Sequence, residues 1–278
     1  MIVTFHGVRG STPCASDSVA RHGGNTACAS VASPGEQPLL FDLGTGLRYF
    51  GDSMPAGEVF RGTALLSHLH WDHVQGLPFF RQLLCDGAEM TIHAPAQEDG
   101  RHPGDVLITT IRPPVFPISL HDMGGSVTVH RAKPEFSVGG YVVRSADVPH
   151  NGANVGYRVE HGDRSVVYIT DHQQPEDPSH VVEPVVELCR GADLLIHDAQ
   201  YTPAEFEARR TWGHCTFQYA VTVAAAAGVR RLALFHHDPF HDDDQIDRMT
   251  AEAAARGAAH GIEVFAAYEG LAVELAPA

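Results

Sequence analysis

Short apolar and β-branched runs recur along this chain, each closed by glycine, proline or a polar cluster, and they read as strands. Ile2 to Phe5, Thr26 to Val31, Leu39 to Asp42, Thr63 to Ser67 and Met90 to Ala94 are predicted strands of the first half. Gly44-Thr45-Gly46 supplies the turn after the third run. From Ser126 the pattern is a β-meander: Val127 to His130, Tyr141 to Val148, Val155 to Glu160 and Ser165 to Thr170, with a hairpin turn at His161-Gly162-Asp163. Strands then alternate with helices. Val181 to Cys189, Thr216 to Ala227 and Asp242 to Ala259 have helical spacing, and Leu194 to His197 and Leu232 to Phe235 are strands. Gly228 stops the second of these helices, and the acidic first turn of the third suits its positive end. Val74 to Leu84 carries apolar residues at helical spacing, interrupted near Gly76-Leu77-Pro78. Asp99 to Pro117, rich in proline, is expected to give a helix and a loop over the site. Strands and helices in both halves predict two sheets packed together, covered by helices on the outside, in one domain spanning residues 1–278.

Composition narrows the partners. The chain has 34 acidic against 19 basic residues, a formal charge of −15. Binding along a phosphate backbone needs Lys and Arg to displace counterions, so this balance argues against long nucleic acid and leaves room for a small anionic substrate. No run approaches the ~20 apolar residues of a membrane helix. The N-terminus lacks a basic segment followed by an apolar one, and five scattered cysteines show no C-x-x-C spacing. The expectation is a cytoplasmic protein without a disulfide framework.

The densest chemistry is His68-Leu69-His70-Trp71-Asp72-His73, directly after a predicted strand. Three imidazoles and a carboxylate in six residues are the donors preferred by Zn²⁺ and its borderline-soft relatives. Other metal-capable residues close predicted strands: His150 follows Pro149, Asp171 ends Val166 to Thr170, and His236 ends Leu232 to Phe235. Strand ends are where loops present reactive groups on a rigid scaffold.

With those positions in order, the chain resembles the metallo-β-lactamase-fold hydrolases over nearly its whole length. Within them it looks most like the branch of ribonuclease Z and the cyclic phosphodiesterase of the carbon–phosphorus lyase pathway. The motifs are His73-Val74-Gln75-Gly76-Leu77, Asp193 to Ala199, and Gly213-His214-Cys215-Thr216, similar to D-H-x-x-G, H-E-A-T and G-H-S-T. The chain departs at Asp198 (Glu is usual), at Cys215 (Ser is usual), and at His237-Asp238-Pro239. The resemblance implies an αββα sandwich, an α/β fold of two mixed sheets face to face with helices on both outer faces. It also implies two divalent ions, zinc by default with Mn²⁺ or Fe as alternatives. His68, His70 and His150 would hold one ion, Asp72, His73 and His236 the other, and Asp171 would bridge them, leaving room for a shared hydroxide. Asp72 would also accept a proton, and His197 would donate one to the leaving oxygen.

Four further positions stand beside these. Asp42 closes a core strand and is a partner for a ligating histidine; His214 opens a helix and could orient a neighbour or meet substrate. Asp198 follows His197 in the same motif, and His237 is the rival of His236 as a ligand. The loop Arg21 to Thr26 is a further candidate for the site. Only 21 positions separate His150 from Asp171, whereas ribonuclease Z enzymes carry a long arm there that grips transfer RNA. That and the net charge shift the expectation to small cyclic or nucleotide-derived phosphodiesters. Hydrolysis of an ester, thioester or lactone remains an alternative, as does a non-catalytic metal-sensing module. Dimers are common in the resembled branch, so a homodimer is among the implied assemblies.

Overall fold

The computed structural model describes residues 1–276. Strands β1 (Ile2–Gly7), β2 (Cys28–Ala32), β3 (Leu39–Phe41), β4 (Arg61–Leu65), β5 (Glu89–Ala94), β6 (Ser126–Arg131) and β14 (Ala272–Glu274) form one seven-stranded sheet, in the order β14-β1-β2-β3-β4-β5-β6. Strands β7 (Glu135–Val138), β8 (Tyr141–Asp147), β9 (Val155–His161), β10 (Arg164–Ile169), β11 (Leu194–Asp198), β12 (Arg231–Phe235) and β13 (Glu263–Ala266) form the other, in the order β13-β12-β11-β10-β9-β8-β7. Both sheets are mixed. The runs β3 to β6 and β10 to β13 are parallel, and the pairings β1–β2, β7–β8 and β9–β10 are antiparallel.

The period of two along each strand sorts residues into layers. Leu39 and Phe41 of β3 point into the space between the sheets while Leu40 points out, and Leu194 and Ile196 of β11 point in while Leu195 points out. The inner layer is apolar and closed, with Phe41 stacked on Tyr168 across the sheets at 4.8 Å. On one outer face α1 (Leu47–Ser53) packs Leu47 and Phe50 over Leu40, Ala64 and Met90. On the other, α4 (Glu183–Cys189), α6 (Phe217–Ala227) and α7 (Asp243–Ala258) cover Val167, Leu195 and Leu232. The predicted helix-covered pair of sheets is therefore what forms.

Local signals fix the later helix ends. Thr216 Oγ1 accepts from Tyr219 N at the start of α6, and Gly228 closes that helix at φ +65°. Asp242 Oδ1 accepts from Gln245 N to open α7. The expected helix from Val74 to Leu84 does not form. A single turn α2 (Trp71–Val74) is followed by 3₁₀ turns at Leu77–Phe79 and Arg81–Leu84. Gly76 presses against the Gly44 carbonyl, where a Cβ would lie 1.9 Å from the oxygen, and Pro78 cannot donate in a continuing helix. The helix expected between Asp99 and Pro117 forms as α3 (Pro103–Thr110), but it packs on the outer face of β6, the edge strand of the first sheet, with Gly104 against Val129. Sequence reading missed α1, β7, β13, β14 and α5 (Pro203–Glu207), all short. Among the described residues, no helix is long and apolar enough to cross a membrane.

Candidate metal centre

The chain bends sharply where its reactive side chains leave the strands. Among the described residues, the non-glycine positions with positive φ are Ser11, Asp42, Asp171 and His236 at +55° to +61°. All four belong to one site, and such backbone costs about 1–3 kcal/mol each, which the surrounding contacts must offset.

The predicted ligand residues converge in two groups. Donor atoms of His68, His70, His150 and Asp171 lie within 4.8 Å of one another, as do those of Asp72, His73 and His236. Asp171 faces both groups. Its Oδ1 lies 3.7 Å from His68 Nε2, while its Oδ2 lies 3.3 Å from His73 Nε2 and 3.2 Å from His236 Nε2. Asp72 Oδ2 is 3.1 Å from His73 Nε2 and 3.2 Å from His236 Nε2.

The far sides of these rings are held in a consistent way. His73 Nδ1 donates to Asp42 Oδ2 at 2.7 Å, and His150 Nδ1 to the Gly213 carbonyl at 2.9 Å. His236 Nδ1 donates to Gln200 Oε1 at 2.9 Å. Ser67 Oγ donates to Asp42 and so accepts from His68 Nδ1 at 3.0 Å. Each of these four rings thus carries its proton on Nδ1 and turns a lone pair on Nε2 toward the cluster. His236 Nε2 lies 3.3 Å from His73 Nε2, and His150 Nε2 lies 3.3 Å from His70 Nδ1. His68 Nε2 is buried with no hydrogen-bond partner. Converging lone pairs of this kind repel unless a cation lies between them, and an all-His/Asp donor set suits zinc-like divalent ions. The residues fit a metal.

Electrostatics reinforce that fit. Burial opposes ionisation of Asp171, but positive charge placed among His236, His73 and His68, where a cation would sit, holds its carboxyl well below the usual range. Burial and the neighbouring His73 push His68 well below an ordinary imidazole, so it is neutral and ready to ligate.

Asp42 lies where expected, fully buried, accepting from His73, from Ser67 N at 2.7 Å and from Tyr168 OH at 2.7 Å. His197 does not reach the cluster. It is fully buried on the outer face of β11 with Leu195, its Nδ1 donates to the Asp198 carbonyl at 2.7 Å, and its Nε2 accepts from His172 Nδ1 at 3.0 Å. Strand parity points it under α6, away from the ligand residues. His214 stands beside them instead. Its ring stacks on His236 at 5.1 Å, and its Nδ1 lies 3.2 Å from Asp198 Oδ2 and 3.7 Å from Asp171 Oδ1. Burial opposes its charge, but Asp198, then Asp171 and Asp72, raise its pKa to about 9. Asp198 is held by the backbone N–H groups of His172 and Gln200.

His237 turns away from the cluster, with its Nε2 donating to the Ala267 carbonyl at 3.0 Å, which leaves His236 as the residue facing the ligand set. The Arg21 to Thr26 loop is drawn to α7 instead, through Arg21 on Asp244 and Asp247 and His22 on Asp243. Sequence reading missed three supports. Ser11 N donates to Asp72 Oδ2 at 2.7 Å, Gln200 holds His236, and Gly10 lies so close to the His236 ring that a Cβ would fall 2.4 Å from it.

Residues 55–237 match the family model described as a beta-lactamase superfamily domain, and the chain belongs to that superfamily. It is 32% identical to the ribonuclease Z of Halorubrum lacusprofundi, over 71% of this chain and 76% of that protein. Of solved structures, human tRNase Z, short form, shares 23% identity with a TM-score of 0.69, covering all of both chains. A diphosphatase of the PhnP family shares 20% identity with a TM-score of 0.71, covering 99% of this chain and 98% of the other. These two likenesses establish the metallo-β-lactamase fold. The protein is a metal-dependent hydrolase of the phosphodiesterase-like kind.

Proposed function

We propose that this chain is a binuclear phosphodiesterase acting on small phosphodiesters, cyclic or nucleotide-derived. His68, His70 and His150 would hold one divalent ion, Asp72, His73 and His236 the other, with Asp171 shared; zinc is the default and Mn²⁺ or Fe would suit the same donors. Bound divalent ions supply Lewis acidity toward phosphoryl oxygens and a water acidic enough to attack at neutral pH. The chain's own groups supply the remainder. Asp72, oriented by Ser11 N–H, accepts the proton released when water attacks phosphorus. His214, kept protonated by Asp198, delivers a proton from its ring to the leaving oxygen.

The observation that carries this reading is the His214–Asp198 pair set against the Asp171 carboxylate, since an alkoxide leaving group needs a proton donor beside the reacting centre. Two features support small substrates: β9 and β10 fill the interval between His150 and Asp171 with a tight hairpin, and the net charge is −15. The ribonuclease Z relative and the tRNase Z structure make transfer RNA the second substrate to try. The test combines metal analysis with a screen of thymidine 5′-(p-nitrophenyl phosphate), cyclic nucleotides, transfer RNA, esters and lactones. Two ions per chain and turnover of small phosphodiesters support the reading. One ion per chain, or turnover confined to carboxylic esters, lactones or transfer RNA, overturns it.

A further inference from the structure

The chain contains two tryptophans, and both flank the cluster: Trp71 sits between His70 and Asp72, and Trp212 is two residues before His214. Both are largely exposed, at 48% and 61%. Indole is a side chain that folding normally covers, so two open rings beside one site call for a reason.

The backbone on either side of Trp212 is tied to the site. The Thr211 carbonyl accepts from Asn151 Nδ2 at 2.6 Å, Gly213 N donates to Gln173 Oε1, and the Gly213 carbonyl holds His150. Gly213 stands at φ +92°, and a Cβ there would lie 2.4 Å from the His150 ring, so this segment presses directly on the site. From the inside outward, the His214 ring meets Tyr201 edge-on at 5.7 Å, and the Arg209 guanidinium lies over Tyr201 at 5.2 Å and over Trp212 at 5.6 Å. Among the described residues Arg209 has no carboxylate partner, whereas the adjacent Arg210 is paired with Glu207. A cation without a carboxylate in so acidic a chain, linked through the Tyr201 and His214 rings to a cluster that suits phosphate esters, is placed to meet an anion.

We infer that Trp212 and Arg209 form a nucleoside subsite, with a base stacking on the indole and Arg209 meeting an anionic oxygen of the same substrate. This rests on the phosphodiesterase reading for its catalytic consequence. Because every base has a π-face, stacking of this kind tolerates different bases, and the subsite would select nucleotide esters over simple alkyl ones. Arg209 and Trp212 act here as specificity determinants.

Two measurements test it on the metal-loaded protein. In the W71F background Trp212 is the sole tryptophan, so its fluorescence reports directly on thymidine 5′-monophosphate. Saturable quenching is expected, with the apparent Kd weakened about tenfold by R209M. In steady state, W212A is expected to raise KM for thymidine 5′-(p-nitrophenyl phosphate) about tenfold with kcat within twofold, to leave methyl p-nitrophenyl phosphate unaffected, and to be rescued by W212F. Equal effects on both esters, or absence of quenching, overturns the subsite. If the wild type hydrolyses neither ester, the phosphodiesterase reading fails on its own, and the quenching titration still decides whether nucleotide binds at Trp212.

Discussion

His214 Nδ1 lies 3.2 Å from Asp198 Oδ2 and 3.7 Å from Asp171 Oδ1, and both partners of the His214–Asp198 pair are buried. His197, its neighbour in sequence motif, is separated from that arrangement by a single step of strand parity. The two histidines therefore make opposite predictions. H214A is expected to lose about 10²- to 10⁴-fold in kcat on a phosphodiester with a poor leaving group while retaining its metal. H197F breaks the contact with His172 and is expected to cost about 1–3 kcal/mol of stability with kcat within a few-fold of wild type. Kinetics, metal analysis and thermal unfolding of both variants decide it. A large kcat loss in H197F with wild-type rates in H214A would restore the expectation drawn from sequence.

The placement of His197 could not be read from the sequence. Leu194, Leu195 and Ile196 are all apolar because β11 is buried on both faces, so the alternation that would reveal an inward or outward histidine is hidden. The His68 to His73 run was legible for the contrary reason: four donors crowd one loop, and their residue types alone announce a metal. His150, Asp171 and His236 were legible as strand-end residues. Gln200 and Ser11 were not, because their roles depend on which distant loops meet at His236 and Asp72. Among elements, helix ends with a cap or a left-handed glycine were well predicted, while the Val74 to Leu84 pattern failed because close contact of Gly76 with Gly44 is a tertiary fact.

Asp42 is a single acceptor for His73, Ser67 and Tyr168. D42N replaces one acceptor oxygen with a donor and breaks the match to His73 Nδ1–H. Metal affinity is expected to fall about 10- to 100-fold, read by titration of the metal-free protein. D42A removes the acceptor of four buried donors, His73 Nδ1, Ser67 N, Ser67 Oγ and Tyr168 OH, and should destabilise by at least about 3 kcal/mol. Unchanged affinity in D42N would show that the His73 ring is positioned without Asp42.

His6 gives a pH dependence independent of the metal ligands. It is buried with Nε2 2.8 Å from Ser30 Oγ, and burial lowers its pKa to about 4 from 6.5. The folded state holds it neutral, so the unfolded state binds the extra proton as pH falls. Its contribution is present above about pH 6.5 and is lost as pH falls from there to about 4, an amount on the order of 3 kcal/mol. Denaturant unfolding of wild type and H6Q with a chelator present should show the wild type losing more stability over that window. Parallel losses in the two proteins would exclude His6 as a source.

Arg9 ties together the two loops that hold Asp72 and His236. Its fully buried guanidinium donates to the carbonyls of Gly23, Asp238 and His241 at 2.7 to 3.0 Å and lies 4.0 Å from Asp243. Its own backbone bonds to Asn25, and the next residues are Gly10, packed on the His236 ring, and Ser11, bonded to Asp72. R9M leaves Asp243 with Arg21 as its remaining cation and three buried carbonyls without a donor, so a loss of about 3–5 kcal/mol is expected. Because those loops serve the Asp72, His73 and His236 group and leave the His68, His70 and His150 group alone, the damage should be uneven. In a titration with Co²⁺, R9M should bind the first ion with near-wild-type affinity and the second at least tenfold more weakly. Equal weakening of both would mean that Arg9 supports the fold generally, with no selective hold on the His236 side.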